Sequence, residues 1–589
     1  MYKLILLAFK YILIEILSIK IKILYWKNFL KEISLFKFLN NSQKDDLSYF
    51  KDENLNEFLK INEKFTKNEK NFESKNKILV DLTVDHHPEY ALLNCLIAND
   101  LKKNLKQDIV GLINSDDIKS EKIAQSFGIK NFIVYKRKNF FKRLMYFIES
   151  VKLINSHSSL DKLINIKYKN IEIGKCAYEH SIRFFTKSSF KVDFYFYLSV
   201  AKSIENVNFF NNIYSRNFFN HSVIAETQFI PHKIFFQTAL KKKNIVYARY
   251  GSGLENYNVR IYKNFRDSYS HKRKYSKKLV KYLTSNYKKK LEQEINLFFR
   301  KNKPERRIGF EDAFVGNQKK VNIINLDLKK NFNNKLKINK NNKLNVLILP
   351  NVLQDNVLNS EWSLFKSPYD WFEKTLKYIK KINNVNWIVK PHPAENFYRE
   401  ELKAEYIFNS LVKNSENIKF LNEDIHINNI HKFIDLVITY NGSCGYEYSA
   451  LGIPVMTSAD TRYSDFEFTI APEKNKIYLY NLKNIKKIKK KFKVNKFRAK
   501  LFWYMDNCYY GVMRMTHGLL PKMATQGASK NIDWKEFWKK LRINRQKNKK
   551  HNNFSRNFLI QQKTLNRHCI NLSILKNIKS EKFKSLNDT

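Results

Sequence analysis

The sequence predicts an α/β protein of two Rossmann-like domains facing a central cleft, with an N-terminal amphipathic helix and a basic C-terminal tail. Three observations predict it. A chain of 589 residues exceeds what one core organises and fits two α/β domains with extensions. From Lys77 to Lys136 short β-branched apolar runs alternate with helical segments, and the same alternation returns from Leu344 to Thr457. Such alternation joins parallel strands through right-handed crossovers. In both halves the apolar runs stop at polar residues, and open α/β sheets collect ligands beyond the carboxyl ends of their strands.

Residues 1–74 are read as the amphipathic helix and a linker. Lys10, Glu15, Lys20 and Lys22 interrupt the opening MYKLILLAFKYILIEILSIKIKILYWKNFLKEISLF, which excludes a secretory core and a transmembrane span. At 100° per residue Lys3, Lys10, Lys20, Lys27 and Lys31 gather on one side. The segment either packs on the first domain or lies in a membrane interface by its apolar side.

Residues 75–300 are expected to form the Rossmann-like acceptor domain. KILVDLTVD reads as a buried strand, YALLNCLIANDLKKNL as a helix, DIVGLINS as a strand, EKIAQSFGI as a helix closed by Gly128, and NFIVYK as a third strand. No G-x-G-x-x-G follows the first strand, so a dinucleotide site has no support here. The loop Asp85-His86-His87-Pro88-Glu89 is the densest titratable cluster of this half. Asp85 or Glu89 is a candidate base for an acceptor hydroxyl, with His86 and His87 as acceptor contacts. Neighbouring histidines rarely face one ion and no third ligand accompanies them, so no metal site is expected. The plain alternative is a polar loop that caps the next helix. Further on, Tyr178, Glu179, His180 and Arg183 fit an acceptor site or a buried aromatic helix equally well. HSVIAETQF reads as a strand ending at Glu226, a second candidate base, and HKIFFQTALKKKNIVYARYGSG as a helix, a strand and a glycine turn. Residues 301–342 are assigned to the interdomain connection.

Residues 343–500 are expected to form the second domain. LNVLILPNVLQDN is a strand whose end faces the crevice, and SPYDWFEKTLKYIKKI a helix capped by Ser367. NWIVK runs into Lys390-Pro391-His392-Pro393, and DLVITY into Asn441-Gly442-Ser443-Cys444-Gly445. The two are read as adjacent strands sharing one nucleotide-binding crevice. Gly442, Ser443 and Gly445 let the backbone approach a ligand, while the N–H groups of the new helix face a phosphate. Ser443 is expected to cap that helix and donate its hydroxyl to the same anion. Glu447, about one turn on, is expected to face the crevice beside it and suit ribose hydroxyls. His392, held between two prolines, can donate to a phosphate oxygen. The helix should stop at Gly452 and a strand follow over Ile453 to Thr457. Residues 501–545 are read as C-terminal crossover helices and 546–589 as the basic tail.

Together, VKPHP, TYNGSCGYEYSALGIPV and ADTRYSDF resemble the donor half of GT-B glycosyltransferases, in particular bacterial capsule and surface-polysaccharide enzymes. These include capsule-type Kdo transferases and sialyltransferase-like groups with a His-Pro motif. The resemblance spans roughly residues 340 to 510 and covers the first half in outline. It implies that His392 contacts the nucleotide phosphate, that Ser443 with its neighbouring amides holds it, and that Glu447 meets the ribose. It implies a nucleotide sugar as co-substrate, with a lean towards CMP-linked acidic sugars, and no separate cofactor. The acceptor would be a surface polysaccharide or a lipid-linked glycan at the cytoplasmic membrane face. No Asp-x-Asp pair marks the crevice, so neutralising the departing phosphate falls to His392, Ser443 and Lys390. Where such families carry a Ser/Thr pair, this chain has Gly442-Ser443. Teichoic-acid glycerophosphotransferases, which use CDP-glycerol, share a similar His-Pro, and nucleotide-sugar 2-epimerases share the fold.

Lys and Arg number 108 against 55 Asp and Glu, a net charge of +53. Either a lysine-rich composition spreads over solvated surfaces, or the charge attracts anionic membrane lipid or polyanionic glycan. A non-enzymatic polyanion-binding protein would explain the charge but not the crevice motifs. No compact nucleic-acid motif accompanies it, so no specific nucleic-acid partner is expected. Hydrophobic residues at 43 % and aromatics at 15 % exclude wholesale disorder. Cys95, Cys176, Cys444, Cys508 and Cys569 form no CxxC pair, which argues against a zinc site or disulfide framework and for a reducing cytoplasm.

Overall fold

The computed structural model describes residues 6–13, 52–66, 72–84, 88–136, 138–157, 159–184, 192–250, 258–263, 277–301, 343–354, 363–392, 395, 403–421 and 430–505. They fall into two compact units, one within residues 6–263 and the other within 277–505.

The first unit is built on β1 (Lys77–Asp81), β2 (Ile109–Asn114) and β3 (Asn131–Tyr135), a short antiparallel pair β4 (Lys167–Tyr168) and β5 (Ile171–Glu172), and β6 (Phe219–Ile224), β7 (Ile245–Tyr250) and β8 (Asn258–Tyr262). Its main sheet runs β3-β2-β1-β6-β7-β8. All neighbours are parallel except β7 and β8, paired Val246 to Tyr262. The edge strand β8 was not foreseen, because Lys- and Asn-rich surroundings hide a five-residue NVRIY run. Crossover helices Pro88–Leu105 and Ile118–Ser126 follow β1 and β2, the second capped by Asp117, whose side chain accepts the Ser120 N–H. Residues 6–13 are helical and pack here through Tyr11, stacked on Phe147 at 4.6 Å, while Leu6, Phe9 and Leu13 stay exposed. The rest of the predicted amphipathic segment, with Lys3, Lys20, Lys27 and Lys31, lies outside the described residues. Among the described residues no helix is long and apolar enough to cross a membrane.

The second unit holds β9 (Leu344–Leu349), β10 (Val385–Val389), β11 (Ile418–Phe420), β12 (Leu436–Thr439) and β13 (Val455–Thr457) in the order β11-β10-β9-β12-β13, all parallel. Side chains of a strand alternate between faces, and both faces here are covered. Val346 and Ile348 of β9, Trp387 of β10 and Ile438 of β12 join one apolar cluster with the helices Pro368–Ile379 and Ala404–Val412. Leu347, Ile388 and Val437 join another on the opposite face with Tyr448 of the helix Cys444–Leu451. Burial on both faces is why these strands read as unbroken apolar runs.

Two expectations are corrected. The NWIVK and DLVITY strands are not adjacent: β9 lies between them, because the chain enters the sheet at its centre and builds outward in both directions. The helices Lys277–Asn286 and Lys288–Lys301, assigned by sequence to the first domain, pack in the second unit. Their Val280, Leu283, Leu291, Ile295 and Phe299 bury against Tyr446, Phe502 and Trp503, and Tyr504 donates to Glu294 at 3.0 Å. The connection from 302 to 342, the crossover segment beyond 505 and the basic tail lie outside the described residues.

Candidate functional site

Both sheets reverse strand order beside their first strand, and an open sheet of this order offers its ligand crevice at that switch point. In the second sheet the switch falls between β9 and β12. The Asn351 amide donates to Asn441 Oδ1 at 2.5 Å. Thr439 Oγ1 donates to the Leu349 carbonyl at 3.0 Å, and the Gly442 N–H donates to Thr439 Oγ1 at 3.4 Å. These bonds tie the two strand ends together just before the helix Cys444–Leu451 begins.

Ser443 occupies the N-cap position of that helix but does not cap it. Its backbone is already helical (φ −60°, ψ −27°), its side chain makes no cap bond, and it is exposed. The N–H groups of Gly445 and Tyr446 bond back to the carbonyls of Gly442 and Ser443, each at 3.1 Å. Among the described residues no backbone acceptor meets the N–H of Ser443, while the N–H groups of Cys444 and Gly445 face the Cys444 sulfur. A helix start with an open amide, positive partial charge and an exposed hydroxyl can accept an anion.

Gly445 has a different reason from the one expected. A Cβ there would run into the hydroxyl and ring of the buried Tyr463, whose hydroxyl donates to the Gly442 carbonyl at 2.7 Å. The glycine makes room for an aromatic prop beneath the turn, not for a ligand above it. Glu447 is 1 % exposed, where Ser443 is open. Every residue from Cys444 to Ala450 is buried, because this helix is covered on all sides. Burial pushes the Cys444 thiol up to about 12, which keeps it protonated and unreactive at neutral pH. The helix stops at Gly452 in the left-handed region (φ 92°), as the sequence predicts.

At the end of β10, Lys390 is 2 % exposed and its N–H donates to the Ile348 carbonyl at 3.1 Å. His392 is half-buried, and its carbonyl accepts the Glu395 N–H at 3.1 Å. With β9 between them, the backbones of β10 and β12 stand about 10 Å apart at two strand spacings. The carboxyl edge of one sheet thus carries Asn351, His392 and Ser443.

The first sheet's switch point, between β1 and β6, carries groups that the sequence reading passed over. Asp81, the last residue of β1, is fully buried. Its Oδ1 accepts the Thr83 N–H at 3.0 Å and hydroxyl at 2.7 Å; its Oδ2 accepts the Ala225 N–H at 3.3 Å and faces His232 Nδ1 at 2.9 Å. Burial alone would raise this carboxyl, but His232 and the Thr83 bonds outweigh it and hold the group below its ordinary value. Glu226, just past β6, folds onto its own turn and accepts the N–H groups of Thr227 (2.8 Å) and Gln228 (3.2 Å). Asp85, His86 and His87 lie outside the described residues, and Glu89 falls on the first turn of the helix Pro88–Leu105. Tyr178, Glu179 and His180 are buried, with Glu179 paired to Lys233 at 2.8 Å, so the buried-helix reading of that stretch holds for them. The signal for Asp81 was available: a carboxylate inside an otherwise apolar run. Among the described residues no group of three or more His, Cys, Asp and Glu is placed to hold a metal ion.

The chain is therefore an α/β protein of two Rossmann-like units, one with an exposed serine at a helix start and one with a buried carboxylate at its switch point. No family model matches it, and no curated protein does. Among solved structures it is similar to KpsC, a β-Kdo 2,4-transferase of Thermosulfurimonas dismutans (11 % identity, 48 % of this chain and 78 % of that one, TM-score 0.28). It is also similar to a UDP-GlcNAc 2-epimerase of Neisseria meningitidis (11 %, 79 % and 100 %, TM-score 0.23). A glycosyltransferase of Rickettsia africae is a third (12 %, 74 % and 98 %, TM-score 0.23).

Proposed function

We propose that the chain is a GT-B glycosyltransferase that moves a sugar from a nucleotide-activated donor, with a CMP-linked acidic sugar first in line, to a surface-glycan or lipid-linked acceptor. The observation that supports this reading is the helix start at the second switch point, where the Ser443 hydroxyl is exposed and its amide meets no backbone acceptor among the described residues. As the sugar's anomeric carbon leaves its phosphate oxygen, negative charge grows on the nucleotide. Donors fixed in advance at that point stabilise it without reorganising. In this reading Ser443 and the amides hold the phosphate, Asn441 and Gly442 shape the turn, His392 donates from the β10 edge, and the buried Lys390 adds positive potential. Glu447 supports the helix from within. Exposed Leu6, Phe9 and Leu13 near Lys10, on a chain of net charge +53, support a peripheral contact with anionic membrane at the cytoplasmic face.

A thermal-shift panel of CMP, CDP, UDP and GDP tests the reading, since a ligand of the folded state raises the melting temperature. One nucleotide is expected to stabilise the protein, with the shift reduced in Ser443→Ala and His392→Ala. No stabilisation by any of the four overturns it.

A further inference from the structure

We propose that the helices Asn475–Lys483 and Ile485–Lys491 form a docking surface for an anionic phospholipid membrane, a contact made by the second unit that does not rest on the glycosyl-transfer reading. Nine of the twenty residues 474–493 are lysines and none is acidic. At the chain's own frequencies, 108 Lys and Arg and 55 Asp and Glu in 589 residues, such a stretch would hold about four basic and about two acidic residues. A lysine-rich composition therefore does not account for it. Eight of the nine are exposed, and among the described residues no carboxylate pairs with any of the eight. The ninth, Lys489, pairs with Asp435 at 2.7 Å. Asp435 precedes β12, and its Oδ2 accepts the N–H of Asn345 on β9 at 2.9 Å. The ion pair thus pins the second helix at the amino edge of the sheet, opposite the carboxyl edge that carries Ser443. A membrane lying there leaves Ser443 uncovered.

Charge alone would suit any polyanion, and the apolar groups among the lysines select lipid. On the helix Asn475–Lys483 the residues Tyr478, Asn481 and Leu482 are buried, while Lys476, Ile477, Tyr480 and Lys483 share the outward side at helical spacing. Ile477 is 44 % exposed and Tyr480 53 %. A tyrosine and an isoleucine flanked by lysines suit the boundary between headgroups and acyl chains, where the apolar parts enter and the hydroxyl and ammonium groups stay in water. Where this helix meets the helix Pro368–Ile379, a cavity of about 250 Å³ opens, lined by Lys374, Lys377, Lys381, Phe365, Tyr378 and Leu479. Asp370 and Glu373 engage Lys374 and Lys377, whereas among the described residues no carboxylate pairs with Lys381. Ammonium groups beside an apolar floor fit a lipid phosphate together with the first carbons of its chains. A soluble polyanion such as a sugar-phosphate polymer would gain nothing from Ile477, Phe365 and Leu479.

The test is co-sedimentation of the full-length protein with vesicles of phosphatidylcholine, alone or with one-third phosphatidylglycerol. The wild type is expected to bind the anionic vesicles only, and less as salt rises. Each lysine held near an anionic leaflet strengthens partition about fivefold, so Lys486→Gln, Lys487→Gln, Lys490→Gln and Lys491→Gln together should weaken it by at least about tenfold. A matched control removes four exposed lysines elsewhere in the same unit, as Lys281→Gln, Lys288→Gln, Lys289→Gln and Lys290→Gln, and should lose less than about threefold. Ile477→Ser with Tyr480→Ser should weaken partition and leave its salt dependence intact. All these variants are expected to keep the melting temperature of the wild type and its response to nucleotide, so a failure here leaves the glycosyl-transfer reading standing. Equal losses in the two lysine sets, or equal binding to neutral vesicles, overturn the proposal. A wild type that ignores the anionic vesicles overturns it too, and retention on heparin through the same four lysines would then assign the surface to a soluble polyanion.

Discussion

At the switch point of the first sheet a sealed carboxylate, Asp81, gathers four partners, whereas at that of the second a pair of neutral amides, Asn351 and Asn441, joins the strand ends and leaves a hydroxyl outside. The strand orders correspond, with the first strand central in each sheet. Topology therefore sets where a ligand meets the sheet, and the residues at the strand ends decide what it meets. At the first end the acceptor oxygens are taken up within the fold. At the second a hydroxyl stays exposed.

The difference should appear first in stability. Asp81→Ala orphans Thr83, Ala225 and His232 together and is expected to cost roughly 3–5 kcal/mol in urea unfolding. A loss under about 1 kcal/mol would mean that the carboxylate is no more deeply committed than the Asn351–Asn441 pair. Next comes pH. His221 on β6 is buried beside Tyr247, and burial lowers it to about 4 from an ordinary value near 6.5. The unfolded chain takes up this proton first, so stability is complete above about pH 6.5 and falls towards pH 4, by about 3 kcal/mol for this group. His221→Phe should flatten that part of the stability profile, and an unchanged slope would assign the acid sensitivity elsewhere. Gly445→Ala should cost roughly 2–3 kcal/mol by forcing Tyr463 from beneath the helix start. Wild-type unfolding of that variant would mean that the prop yields freely. Smallest is Ser443→Ala: unfolding within about 0.5 kcal/mol of wild type, yet nucleotide affinity about tenfold weaker by calorimetry. Equal losses in both would make the serine structural.

Local signals carried much of this architecture in the sequence. The apolar runs of β9, β10 and β12, the Ser367 side chain accepting the Asp370 N–H, and the Gly452 stop all follow from residues within a few positions of one another. What stayed hidden depends on distant partners. Gly445 takes its meaning from Tyr463, 18 positions on, and Asp81 from His232, 151 positions on.

The helices Lys277–Asn286 and Lys288–Lys301 close over Tyr446, one turn into the helix that Ser443 opens. A truncated protein beginning at Lys343 would keep all five strands of the second sheet yet leave Tyr446, Phe502 and Trp503 wetted, an aggregation hazard. Any attempt to dissect the second unit must therefore cut upstream of Lys277, however complete the shorter piece looks on a strand count.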